Sequence, residues 1–144
     1  MSPTAREQCL VLILRTVGIV CLLALVPLFM PRDWIARTHE WMGLGPFPVQ
    51  PIAEYLARST SGLSAFYGGL LLIFSTDIRR YSRAIRYQAV AILFLSLCGV
   101  ALGTRAGLPL VWVGLDAIAC FLYCIPTLWL LRQLQIQDTT NREN

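Results

Sequence analysis

The sequence predicts an all-α integral membrane protein: a four-helix bundle running up-down-up-down, with a short amphipathic interfacial helix between spans one and two. Three observations predict it. Of 144 residues, 56% are hydrophobic and 14% charged, against about 25% charged in an ordinary soluble domain; mean hydropathy is +0.62. The apolar residues fall in blocks of membrane-spanning length. The charges gather between the blocks, most densely around 77–86.

The predicted spans are about 9–30, 51–76, 87–103 and 109–131, with the interfacial segment at 33–42. Residues 1–131 form a single transmembrane domain, and 132–144 a polar cytoplasmic tail that frays beyond its first turns. Span one is closed by Pro31, which has no N–H to give and clashes with a preceding turn. Although Arg6 and the apolar run imitate a signal peptide, the exit PLFMPRDW has no small-x-small cleavage site, so the helix is read as retained.

Residues 31–50 are too polar and too rich in proline to span. Asp33 is placed to cap a short helix from Trp34 to Met42. Trp34, Thr38 and Trp41 share one face of it, a pattern suited to the headgroup layer, where an indole finds an apolar and a polar surrounding together. Pro51 suits the first position of span two. That span is polar in its first third (Glu54, Arg58, Ser59, Thr60, Ser61) and apolar in its last. Gly62, Ser64, Ala65, Gly68 and Gly69 permit a close helix contact. The stretch Asp77–Arg86 reads as a loop. Gly99 and Gly103 pair at the end of span three, and Pro126 predicts a kink in span four.

All 12 basic side chains are arginine. Arg79, Arg80, Arg83 and Arg86 cluster beside two spans, which marks that segment as cytoplasmic and, with four spans, puts both termini on the same side. The expected location is a bacterial cytoplasmic (inner) membrane, multi-pass. A clustered topology signal is not a nucleic-acid face, so no nucleic-acid partner is expected. The five cysteines lie in or beside apolar spans without a CxxC pair and read as small buried hydrophobes.

Candidate chemistry concentrates near the outer leaflet. A rise of about 1.5 Å per residue puts Asp116 roughly 10 Å below Pro109, the same layer as Glu54 and Arg58 below Pro51. Glu54, Tyr55, Arg58, Tyr67 and Asp116 are therefore the candidate ligand-binding residues, with Arg15 at the inner side. His39, Glu54 and Asp116 are the candidates for moving a proton. Two pairings are open to Arg58: Glu54 four residues back on its own helix, or Asp116 across the bundle, which would leave a polar pocket. Arg15 is expected to snorkel toward the inner phosphates or to face a ligand. Trp34 and Trp41 are the interfacial anchors. One histidine beside one glutamate is no metal set, so no metal is expected. Phosphate loops, dinucleotide folds and nucleophile elbows have no motif here.

The words MPRDW at 30–34, HEWMGLG at 39–45 and PIAEYLARSTSGLSAFYG at 51–68, with Asp77, Arg80 and Tyr81, carry a resemblance over residues 26–81. The stretch resembles a family of small, uncharacterised bacterial four-span membrane proteins. More loosely, size, span number and an arginine early in span one are similar to the DoxX-like membrane proteins, some linked to quinone or thiol redox systems. The resemblance implies a four-span fold and no activity.

Three functional readings remain. The first is a non-enzymatic membrane protein binding a lipid or quinone-like ligand, or serving as an accessory subunit of a membrane complex. The second is a membrane redox or lipid-modifying enzyme using Glu54, Arg58, Asp116 and His39. The third is an oligomeric channel or carrier. Membrane lipids, a homo-oligomer or a larger complex are the expected partners, and no resident cofactor is required beyond a lipid or quinone.

Overall fold

Helix boundaries in this chain follow its prolines, glycines and one aspartate. A computed structural model describes residues 5–143, with side chains through residue 136. Its described elements are six α-helices: α1 Ala5–Leu22, α2 Leu25–Phe29, α3 Arg32–Trp41, α4 Pro51–Phe74, α5 Ile78–Arg105 and α6 Leu110–Glu143.

α1 gives way to α2 because Pro27 has no N–H for the Leu23 carbonyl four residues back. That carbonyl takes the Val26 N–H instead, at 3.0 Å. α2 stops at Met30, whose ψ of 139° is the extended backbone that a following proline imposes. Pro31 then occupies the N-cap of α3, and no side chain caps it. Asp33 is inside the first turn rather than at the cap, where its charge meets the positive end of the helix dipole. The far end of α3 closes on Gly43 at φ 75°. Gly43 N–H bonds the Glu40 carbonyl at 2.9 Å and Leu44 N–H bonds the His39 carbonyl at 3.2 Å, the paired bonds of a Schellman cap. Gly107, at φ 74°, ends α5 in the same way, with Leu108 N–H on the Gly103 carbonyl at 3.0 Å.

α5 begins nine residues earlier than the apolar run at 87. The Asp77 carboxylate accepts the Arg80 N–H at 2.9 Å and caps a helix that starts at Ile78. The arginine-rich stretch read as a loop is therefore about two and a half turns of helix. α6 likewise runs on through the polar residues after Leu131 to Glu143; the tail's side chains beyond residue 136, and its last residue, lie outside the described ones.

The expected four-span bundle is corrected. Among the described residues three helical segments are long and apolar enough to cross a membrane: Ala5–Phe29, Ile78–Arg105 and Leu110–Ile136. α4 is not among them, because Glu54, Arg58 and three hydroxyl residues dilute its first half. Only 17% of the most apolar window of each candidate span is buried. These spans are largely uncovered, not packed into an up-down-up-down core. The interfacial segment itself is helical, from Arg32 to Trp41.

Contacts divide the chain into two units, Met1–Arg15 with Ile73–Asn144, and Thr16–Leu72. In the first, α5 and α6 form an antiparallel hairpin joined by residues 106–109. Ile85, Ala89, Tyr123, Cys124, Leu130 and Leu131 are buried. Gln88 donates to the Tyr123 hydroxyl and Arg86 to Gln135. Leu10 and Leu14 of α1 are fully buried in the same unit. In the second unit, α4 runs antiparallel to the end of α1. Gly18 and Gly68 meet backbone to backbone: a Cβ on Gly68 would fall 2.5 Å from the Gly18 carbonyl oxygen and 2.9 Å from the Leu22 nitrogen. Only glycines allow that approach.

Candidate functional site

The densest polar constellation in the second unit is built on Arg58. α2 and the bend after it leave carbonyls without helical partners, and α4 carries Arg58 beside them. Its Nη1 donates to the Leu28 carbonyl at 2.6 Å and its Nη2 to the Met30 carbonyl at 2.9 Å. Nε and Nη2 also donate to Glu54 Oε1, at 3.0 and 2.9 Å. A guanidinium has five N–H groups, and Arg58 commits four of them. Glu54 Oε2 lies 3.9 Å from Arg32 Nε, and Arg32 donates to the Val49 carbonyl at 3.1 Å. The cluster thus ties three chain segments together: the α2 end, the start of α3 and the start of α4. Arg58 and Glu54 are half-buried, with side chains 30% and 28% exposed.

His39 serves the turn after α3. Its Nδ1 is 2.8 Å from the Gly45 carbonyl oxygen, and Phe47 meets its ring edge-on at 5.4 Å. A carbonyl only accepts, so Nδ1 is the donor of this contact. Trp34 and Trp41 are 61% and 86% exposed. Below Trp34 an open notch of about 320 Å³ is lined by Leu25, Val26, Phe29, Met30 and Pro31. Tyr55 is exposed on α4, and Tyr67, on the same helix, is partly covered and partnered.

Asp116 and Arg15 belong to the first unit. Asp116 is exposed and lines a shallow groove of about 290 Å³ with Gly99, Gly103, Leu108, Trp112 and Val113. No hydrogen bond or ion pair reaches it from the described residues. Arg15 is exposed on α1. Its Nε donates to Ser75 Oγ at 3.4 Å, and its terminal nitrogens have no partner among the described residues. It borders an open groove of about 330 Å³ with Gln8, Val11 and Leu12.

The structure therefore brings Glu54 and Arg58 together as a local pair and adds the Leu28 and Met30 carbonyls to it. It gives Asp116 a separate groove in the other unit. Sequence reasoning passed over Glu7, which is buried and accepts from Arg79 Nε at 2.6 Å. An acid at the head of an apolar run in an arginine-rich chain was the available signal. Gln8 was passed over too, although it stands seven residues before Arg15, two turns along one flank. Among the described residues no three His, Cys, Asp or Glu side chains gather as a metal site needs. All five cysteines are free thiols.

No family model matches this chain, and no curated protein or solved structure does.

Proposed function

We propose that this chain is a non-enzymatic integral membrane protein whose work is binding: it holds an amphiphile, a lipid or a quinone-like molecule, or sits as an accessory subunit in a larger membrane complex. One observation carries the reading. Leu12, Val90, Phe94, Leu95, Leu102, Leu115, Leu122 and others on the candidate spans are each more than half exposed, and 17% burial leaves most of each span uncovered. Apolar faces of that extent are stable only against lipid or another apolar surface. The exposed indoles of α3 and the apolar notch beneath Trp34 suit the same surroundings.

Sidedness follows from the arginines. Glu7 with Arg79, and Arg86 with Gln135, bring the start of α1, the start of α5 and the later turns of α6 to one end of the first unit. That end faces the cytoplasm of a bacterial cell in this reading, because Arg6, Arg79, Arg80, Arg83, Arg86 and Arg132 collect there. The catalytic alternative has a weaker footing: Arg58 is occupied by Glu54 and two backbone carbonyls, Glu54 by Arg58 with Arg32 beside it, and His39 by a turn.

The test is fractionation of the expressed protein. It is expected in the membrane pellet after alkaline carbonate washing, and to carry lipid or quinone when extracted in its native bilayer. A reporter fused after Ser82 is expected to be active on the cytoplasmic side. Release by carbonate, or a stable monomer in aqueous buffer without detergent, would overturn the reading.

A further inference from the structure

Arg15 lies within the most apolar candidate span, Ala5–Phe29, where mean hydropathy reaches 2.8. A carboxylate in such a place can take up a proton and become neutral. An arginine does not lose its charge under any ordinary condition. Arg15 therefore makes a lasting demand for a counter-charge. The described residues do not meet it. Ser75 takes one N–H through a long bond of 3.4 Å, which leaves four donors of the planar fork. The nearby acid Glu7 is committed to Arg79 at 2.6 Å.

The groove beside Arg15 is polar at both ends and apolar between them. Gln8 and Arg15 stand two turns apart on one flank of α1, about 10 Å along the axis. Val11 and Leu12 lie between them, and Leu12 is 66% exposed. The adjoining end of the unit carries Arg79, Arg80 and Arg83, with Asp77 engaged as a helix cap. The local field is positive and the floor is greasy.

The geometry points to a site for one anionic phospholipid: its phosphate is drawn inward onto the Arg15 fork, its headgroup reaches outward along Val11 and Leu12 to Gln8, and its acyl chains run from Arg15 toward the bilayer centre. Two parallel N–H groups match two phosphate oxygens. A snorkelling arginine that finds a lipid phosphate part-way loses less hydration than one left in hydrocarbon. This site deepens the binding reading above and rests on it.

The experiment is native mass spectrometry of the full chain in a neutral detergent, titrated with phosphatidylglycerol, phosphatidylcholine or inorganic phosphate. Phosphatidylglycerol is expected to bind about fivefold more tightly than phosphatidylcholine, the scale of one basic contact at a lipid surface. Millimolar inorganic phosphate should not displace it. Arg15→Ala should bring the two lipids within about twofold, and Gln8→Leu should weaken phosphatidylglycerol about threefold. Arg83→Ala, which removes a nearby charge outside the groove, should keep most of the preference. If Arg15→Ala does not fold, Gln8→Leu and Arg15→Lys decide; both should weaken phosphatidylglycerol, Arg15→Lys because it keeps the charge but loses the two-pronged fork. Equal binding of the two lipids by the unsubstituted chain would overturn the proposal. So would unchanged phosphatidylglycerol binding in the groove variants, a loss in Arg83→Ala equal to theirs, or displacement by free phosphate. Such a failure in protein that resists carbonate sinks this site alone, whereas protein released by carbonate sinks the membrane reading with it.

Discussion

Arg58 and Arg15 are the two arginines that enter long apolar stretches away from the arginine-rich start of α5, and the two regions treat them oppositely. Around Arg58, the second unit supplies a carboxylate and two backbone carbonyls, and four donors are used. Around Arg15, the first unit supplies one hydroxyl at 3.4 Å and then an open groove. The difference lies in the backbone nearby. Pro27 and Pro31 break the helix ahead of Arg58 and release carbonyls that need a donor. The helix around Arg15 is unbroken, so its carbonyls are already bonded, and the arginine must look outward. A charge in an apolar protein becomes structural where irregular backbone is available and becomes a binding group where it is not.

The sharpest way to break that comparison is Arg58→Ala. It strands two carbonyls and leaves Glu54 with Arg32 alone at 3.9 Å, and the expected loss is about 2–3 kcal/mol of stability, the worth of hydrogen bonds to a charged group. Thermal unfolding in lipid nanodiscs measures it. Arg15→Ala, in the same assay without anionic lipid, should change stability by less than about 0.5 kcal/mol. Equal losses would dissolve the contrast between the two arginines.

The next effect is steric. Gly68→Ala puts a methyl group 2.5 Å from the Gly18 carbonyl oxygen, and backbone cannot step aside cheaply. An overpacking cost of about 1–3 kcal/mol is expected. Gly69→Ala meets nothing within 4 Å, so it should be neutral or stabilise by up to about 1 kcal/mol through helix propensity. A Gly69→Ala variant as unstable as Gly68→Ala would refute the glycine contact between α1 and α4.

His39→Ala is a smaller perturbation. Losing the bond to the Gly45 carbonyl should cost about 1 kcal/mol, felt as faster hydrogen exchange in the turn at residues 43–47 with α5 and α6 unaffected. Asp116→Asn should be the mildest, within about 0.5 kcal/mol, with expression at the unsubstituted level, since the carboxylate is exposed and has no partner to lose. A marked fall in Asp116→Asn yield would mean that this carboxylate, like Arg15 in the proposal above, is held from outside the chain.

Hydropathy and helix formation are separate properties here, and reading one for the other misplaced the start of α5. Span three was expected from about residue 87 because its apolar run starts there. Arginine, however, forms helix well, and Asp77 caps one, so α5 starts at Ile78. The converse error concerned α4. Its helix and its proline start were legible at Pro51, but its polar first half removes it from the segments apolar enough to cross a membrane. Asp33 was expected to cap α3 because its residue type favours that position. Pro31 had already set the extended backbone that starts the helix, two residues earlier.

What the sequence by itself determined is whatever acts across four residues or fewer. The all-helical class, the apolar blocks, the stop at Pro31, the turn at Gly43, the entry at Pro51 and the Glu54–Arg58 pair all have that reach. Only the tertiary structure decided the partners that lie far along the chain. Arg58 finds carbonyls 28 and 30 residues away, Gly68 finds Gly18, Glu7 finds Arg79, and Arg15 finds almost nothing. Local hydrogen bonds are fixed by helical periodicity, which a sequence displays. Which helix face meets which neighbour depends on close packing between segments that share no periodicity, and so on the folded backbone alone.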